Sequence, residues 1–348
     1  MKKIARGRSE EALLRAGSMV ASLLAILGVV TVLEAAVRIA DPQLMVRHRG
    51  MQRYHPRLGW ENRPGGHSVA GGVKVSVDEH GRRFVGAAPG LSHGSPTPLI
   101  LLGDSVTFGL GVSDDETFAA SLSQGSAPYH VTNLAVPGYG PGQSALRFES
   151  ERPFSRPAVV ILGLCLGNDL ADVVSRHHLY DERLPKPRFV LRGGALRLED
   201  EHVGGQRLRS LLDRSFLLAR LGPSVEAPGP QHEQTARRLD ALRRHSPEAE
   251  DTLVAIVERL RGQVESRGAR LLVVAFPDFR TLDPKSVRWP RLQKKLAPHI
   301  DLLDLTRVLA PDQETYARNS LDHIGHLSRH GHEHAARAVR GRLARLGN

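Results

Sequence analysis

Cysteine is almost absent from this chain. Its 348 residues contain one, Cys165, so no intramolecular disulfide forms and the redox compartment cannot be read from cysteine use. The setting Ile161-Leu162-Gly163-Leu164-Cys165-Leu166 reads as a buried strand, which makes this thiol a small hydrophobe rather than a reactive group. Aromatic residues are few, at 5%. No aromatic RNP stretch and no zinc knuckle is present, so no nucleic-acid partner is expected. Internal repeats are lacking, as is the acidic helix motif of zinc proteases. What is abundant is charge of one sign: 48 Lys and Arg against 37 Asp and Glu, a net +11. This balance favours acidic partners without choosing among nucleic acid, anionic lipid and acidic polysaccharide. The basic residues are mostly Arg and are spread along the chain, as an arginine-favouring codon bias would also produce. With 41% hydrophobic and 24% charged residues, the bulk is globular, with material for one or two domains.

The N-terminus bears on location. Ala16 to Leu33 is an uncharged apolar run, close to the roughly 20 residues that a membrane-spanning helix needs. Lys2, Lys3, Arg6, Arg8 and Arg15 precede it, and Lys and Arg stay on the cytoplasmic side. The reading is a basic cytoplasmic tail over 1–15 and a transmembrane signal anchor over 16–38. The body then lies on the extracytoplasmic side of the inner (cytoplasmic) membrane. A cleaved signal peptide competes, but a cut after Ala36 would place Glu34 at the minus-three position, where a small residue is wanted. An uncleaved anchor is favoured.

Residues 41–95 are rich in Gly, Pro, Arg and His. Around the alternating stretch Val73-Lys74-Val75-Ser76-Val77 they read as a small β-containing lead-in. From residue 98 the rhythm changes. Apolar runs at Leu99–Leu102, Val159–Leu162 and Leu271–Phe276, with a short strand at Val131–Leu134 and a weaker one at Ile300–Leu303, suit strands of a parallel sheet covered on both faces. Helical patterns lie between them. The best starts at Ser246-Pro247-Glu248, runs Leu253, Ile256, Val257, Leu260 and Val264 along one face, and stops at Gly268. The expected fold is α/β: a doubly wound, flavodoxin-like, mainly parallel five-stranded sheet with helices on both faces, preceded by one transmembrane helix. Residues 171–245 break the rhythm with Pro185, Pro187, Gly193, Gly194, Gly204 and Gly205 and a basic helical piece from Leu208 to Leu221. They form an insert, read as a lid or substrate-binding subdomain.

Ligands of open α/β sheets bind beyond the carboxyl ends of the strands, and four sequence features fall there or before the last helix. Gly103-Asp104-Ser105 follows the first strand and puts a serine on a sharp turn. Pro137-Gly138 lies after the second strand, where glycine can turn its N–H toward an oxyanion. Gly167-Asn168-Asp169 follows the third and supplies an amide donor or a helix cap. Asp322-His323-Ile324-Gly325-His326-Leu327-Ser328 precedes a C-terminal helix. A carboxylate near a histidine can fix its tautomer, so that the other ring nitrogen takes a serine proton.

Each feature is weak alone. In this order, each at its own sheet edge, they resemble the SGNH hydrolases, the GDSL esterase and lipase superfamily, over roughly residues 98–342 of a domain spanning 98–346. The four residues naming that family correspond here to Ser105, Gly138, Asn168 and His326. Leu110-Gly111-Val112 and Gly331-His332 look like the family's usual flanks. An anchor followed by Leu58-Gly59-Trp60 resembles a membrane-bound bacterial subgroup. The resemblance implies two-step acyl transfer: Ser105 as nucleophile, His326 as base, and an oxyanion hole made by the N–H groups of Ser105 and Gly138 with the Asn168 amide. One departure stands out. The family places Asp three residues before the histidine, and here that slot holds His323, with Asp322 one residue further away. A one-residue bulge would let Asp322 orient His326; without it, water or a backbone carbonyl would hold the histidine, as in a Ser-His dyad.

Other readings stay open at this level. His330 and His334, one helical turn apart, could share a zinc, yet no metal site and no cofactor is expected. An O-acyltransferase would use the same residues. A lipid esterase is a further alternative, and an inactive module gripping acidic glycan is another. An acylated polysaccharide is the first expectation for the substrate and a lipid ester the second. Oligomeric state has no sequence signal.

Overall fold

Strands that are apolar at every position must be covered on both sides, and the architecture follows from that requirement. The computed structural model describes residues 2–40, 50–86, 97–124, 129–151, 158–181, 184–200, 215–221, 246–278, 288–322 and 325–346. After the lead-in strands β1 (Gln52–His55), β2 (Gly59–Asn62), β3 (His67–Ala70) and β4 (Val73–Ser76) come β5 (Thr97–Leu102), β6 (Tyr129–Asn133) and β7 (Val159–Cys165). Then follow β8 (Arg188–Arg192), β9 (Ala195–Glu199), β10 (Arg270–Phe276) and β11 (Asp301–Asp304). Five of these form one sheet in the order β11-β10-β7-β5-β6, parallel at every pairing. This is the doubly wound, flavodoxin-like order, and its switch point lies between β5 and β7.

Alternate residues of each strand feed opposite layers. Ile100, Leu102, Val160, Leu162 and Val273 join a core with helices α4 (Pro141–Ser150), α7 (Ser246–Ser266) and α8 (Arg288–Leu296). Leu99, Leu101, Val131, Ile161 and Val274 join the other core, covered by α3 (Phe118–Leu122), α9 (Thr306–Leu309) and α11 (Arg329–Leu346). Helix α7 buries the stripe expected of it, Leu253, Ile256, Val257, Leu260 and Val264. Past its end Gly268 adopts a left-handed φ of 74°.

Helix α1 runs from Lys2 to Ala40, taking in both the basic tail and the apolar run. Arg15–Ala40 is long and apolar enough to cross a membrane and is not buried by the rest of the chain. Within the insert, β8 and β9 form an antiparallel hairpin, and Phe189 enters the core beside α7. Of the helical piece expected over 208–221, α6 (Phe216–Leu221) is described, and the rest lies outside the described residues. Glu34 of α1 accepts hydrogen bonds from Ser215 Oγ, Phe216 N and Leu217 N at the start of α6.

The lead-in is stitched into the sheet. Arg83 donates its N–H to Asn133 O at the end of β6. Its fully buried guanidinium meets Asp114 at 3.2 Å, donates to Val112 O and lies over the Phe108 ring. Burial lowers the Arg83 pKa to about 10, against the opposing pull of Asp114.

Candidate active site

The nucleophile candidate owes its position to a tight turn after β5. Gly103 has φ 152°, and a Cβ there would sit 2.3 Å from Thr107 Oγ1, so only glycine permits the turn. Asp104 then caps the short helix α2 (Ser105–Phe108), accepting from Val106 N at 2.9 Å. Ser105 is the first residue of that helix, at the sheet's carboxyl edge beside the switch point, and is 8% exposed.

His326 Nε2 lies 2.8 Å from Ser105 Oγ. Its other ring nitrogen, Nδ1, lies 2.5 Å from Asp322 Oδ2. The other carboxylate oxygen of Asp322 accepts the backbone N–H of Gly325 at 3.1 Å and of His326 at 3.2 Å. Gly325, at φ 99°, makes the extra-residue bend, and a Cβ there would lie 2.4 Å from Pro277 O. The shifted aspartate thus reaches the histidine. His323 itself lies outside the described residues. Ser328 ends the segment as a cap, accepting from Gly331 N at the start of α11.

Gly138 occupies the second corner of a turn closed by Tyr139 N donating to Val136 O. Pro137 precedes it, and its φ of 82° is the left-handed conformation that a type II turn demands. Among the described residues, neither the Gly138 N–H nor the Ser105 N–H has a hydrogen-bond partner. Asn168 ends the loop after β7 and donates Nδ2–H to Asp104 Oδ2 at 3.0 Å. An amide nitrogen carries two hydrogens, so the bond fixes the Asn168 side chain and still leaves one for the cleft.

The structure therefore brings Ser105, His326 and Asp322 into one hydrogen-bonded line and puts Gly138 and Asn168 on the loops after β6 and β7, the neighbours of β5. It also adds residues that sequence reasoning passed over. Asp104 was read only as part of a triplet, yet it fixes Asn168, and burial raises its pKa against the hydrogen bonds of Asn168 and Val106. Behind it, Asp169 accepts from Cys165 N at 2.6 Å. Burial, then the neighbouring Asp104 and Asp172, push the Asp169 carboxyl well up. Burial also pushes up the Cys165 thiol. His178 of the insert packs its ring on Gly138, with Nε2 2.1 Å from where a Cβ would be. Leu110 and Leu321, 40% and 52% exposed, are apolar side chains open to solvent near Ser105 and Asp322: Leu110 N donates to Ser105 O, and Leu321 directly precedes Asp322. The His330 and His334 rings lie 4.2 Å apart, tilted by 51°, and among the described residues no group of three His, Cys, Asp or Glu side chains could hold a metal ion.

No family model matches the chain, and no curated protein matches it. Among solved structures it is similar to TesA, at 14% identity over 70% of this chain and 97% of that one, with a TM-score of 0.41. It is also similar to a protein titled as lipolytic, of the G-D-S-L family, from Desulfitobacterium hafniense DCB-2, at 16% identity over 70% and 99%, TM-score 0.39. A third is the acetyl xylan esterase AlAXEase, at 12% identity over 70% and 98%, TM-score 0.39. At such scores the likeness says nothing of what this chain acts on.

Proposed function

We propose that this chain is a serine hydrolase of the SGNH type that cleaves O-acyl esters, with Ser105 as nucleophile, His326 as general base and Asp322 as orienting acid. The observation that carries the reading is the His326 ring, spanning from Ser105 Oγ at 2.8 Å to Asp322 Oδ2 at 2.5 Å. An imidazole so held keeps its Nδ1 proton on the carboxylate and leaves Nε2 free to accept from the serine.

In the proposed first step Ser105 Oγ gives its proton to His326 Nε2 and attacks the ester carbonyl carbon. The resulting oxyanion takes hydrogen bonds from the Ser105 and Gly138 N–H groups and from the second Asn168 amide hydrogen. His326 then passes the proton to the leaving alcohol, and an acyl-serine remains. Water attacks it with His326 again as base, releasing the carboxylic acid and restoring the serine. The chemistry takes no cofactor.

The reading extends to location and substrate. Helix α1 anchors the chain in the cytoplasmic membrane, with the domain on the extracytoplasmic side. Acetyl or short acyl groups on a polysaccharide are the proposed substrate: Ser105 is only 8% exposed, which suits a short acyl group. The net charge of +11 suits an acidic polymer. The test is hydrolysis of p-nitrophenyl esters from acetate to octanoate by the full chain in detergent, beside Ser105→Ala. Turnover that disappears with Ser105 and falls with chain length is expected. An inactive wild type whose Ser105 also resists a fluorophosphonate probe would end the reading.

A further inference from the structure

The lead-in does more than precede the catalytic domain. Its first hairpin, β1–β2, pairs Gln52 with Asn62 and Tyr54 with Trp60, so these four side chains share one face. That face lies on the loop after β6. Asn62 Nδ2 donates to Ala135 O at 3.0 Å. Gln52 Nε2 and Trp60 Nε1 both donate to Pro137 O, at 2.7 and 3.1 Å. The loop answers with Tyr139, whose hydroxyl donates to Trp60 O at 2.6 Å. Trp60 and Tyr139 are 1% exposed, so their side of the clamp is shielded from water.

Pro137 O belongs to the same peptide unit as the Gly138 N–H. The chain has no cis peptide among its described residues, and in a trans peptide the C=O and N–H point in opposite directions. Two donors on the carbonyl therefore fix the direction of the N–H on the far edge of the plane. They also polarise the unit, which makes that N–H a stronger donor. Left unclamped, a Pro-Gly turn can flip this very peptide, the difference between type II and type I.

We propose that Gln52 and Trp60 are positioning residues that aim and polarise the Gly138 N–H toward the developing oxyanion. This rests on the ester-hydrolase reading. The lead-in is thus a working part of the oxyanion hole, contributed from more than 70 residues upstream in sequence.

The test uses the full chain in detergent, with Trp60→Phe, Gln52→Met and the double variant. Phe keeps an aromatic ring against Tyr139 and His178, but it removes the indole N–H and leaves a small cavity where the buried indole stood. Gln52 is partly exposed, so Met is tolerated there. Losing an oxyanion donor outright costs about 100- to 1,000-fold in kcat. Misaiming one should cost the double variant about tenfold or more, with KM changed less than about threefold; the melting temperature falls with the Trp60→Phe cavity but is nearly kept in Gln52→Met, which should itself lose kcat. The second readout is the Gly138 amide resonance: carbonyl-13C proline and 15N-glycine labelling reports the five Pro–Gly peptides of the chain, and the one that disappears in Gly138→Ala is that of Gly138. It should move upfield stepwise through the series. An active enzyme whose double variant keeps its kcat, loses only KM, or leaves the Gly138 resonance in place overturns the clamp while sparing the hydrolase reading. A wild type without Ser105-dependent turnover overturns the hydrolase reading and the catalytic sense of the clamp together, even if the resonance moves.

Discussion

Asp322 stands four residues before His326, and its carboxylate holds both the histidine ring and the histidine backbone, Oδ2 on Nδ1 and Oδ1 on the main-chain N–H. The double grip compensates for the exposure of this carboxylate, whose side chain is 40% accessible. A carboxylate anchored at one point and open to water would let the ring swing. Anchored at two, with Gly325 N as a third donor, it cannot follow solvent.

The first prediction concerns that grip. Asp322→Asn keeps the shape of the side chain and can retain one backbone bond, but its amide would present a donor or a neutral oxygen to Nδ1. The wrong tautomer then places a proton on Nε2, where Ser105 needs an acceptor. Kcat should fall by about a hundredfold or more, with KM little changed. Steady-state kinetics on p-nitrophenyl acetate decide it. A loss below about threefold would mean that His326 is oriented by something other than Asp322.

A second prediction tests how closely the insert packs on the Pro137–Gly138 turn. In Gly138→Ala the new Cβ meets His178 Nε2 at 2.1 Å, which adds about 1–3 kcal/mol of overpacking. The left-handed backbone adds roughly 1–2 kcal/mol more. His178→Ala in the same chain should return the first part and leave the second. Thermal melts of the two single variants and the double variant give the coupling directly, and additive effects would show that His178 does not pack there.

These contacts mark the limit of what was legible in the sequence. The three central strands of the sheet were legible because their apolar runs, Leu99–Leu102, Val159–Cys165 and Leu271–Phe276, carry the pattern that burial on both faces imposes; the edge strands, with His130 and Asn133 in one and Asp301 and Asp304 in the other, were weaker. Ser105, Gly138 and Asn168 were legible as residues past strand ends, and His326 as one before the last helix, because local chemistry marks them: a glycine turn, a Pro-Gly pair, an amide at a helix start, a histidine beside a carboxylate. The Asp322 contact was ambiguous because it depends on the positive φ at Gly325, and a single glycine in a loop does not announce its dihedral. The Gln52 and Trp60 contacts were not legible at all. They cross 85 and 77 positions of sequence, and a four-residue strand with mixed polarity carries too short a pattern to say which face meets what. His178 was hidden in the same way, in an insert with no period.

The last prediction is a pH dependence of stability set by His332. This histidine is fully buried at the start of α11. Its Nδ1 accepts the Phe118 N–H at 3.2 Å, and its ring stacks on the Phe118 ring. Burial first, then the nearby Arg83 and His326, lower its pKa from 6.5 to about 3. The neutral ring is therefore the folded form, while the unfolded chain gains a proton on His332 once the pH drops below about 6.5. Between those two values the unfolded state binds more protons, so this group's share of stability is full above pH 6.5 and is lost as the pH falls toward 3. The slope is about 1.4 kcal/mol per pH unit, which amounts to roughly 2 kcal/mol at pH 5. His332→Asn keeps an oxygen acceptor for Phe118 N and removes the titration. It should be less stable than the wild type at pH 7.5, since the stacked ring is gone, and should lose less on going to pH 5. Carboxylates elsewhere titrate equally in both proteins, so the difference between the two melting curves isolates His332. Parallel curves from pH 7.5 to 5 would mean that the buried ring takes up its proton inside the fold, and that the contact with Phe118 N does not hold it neutral.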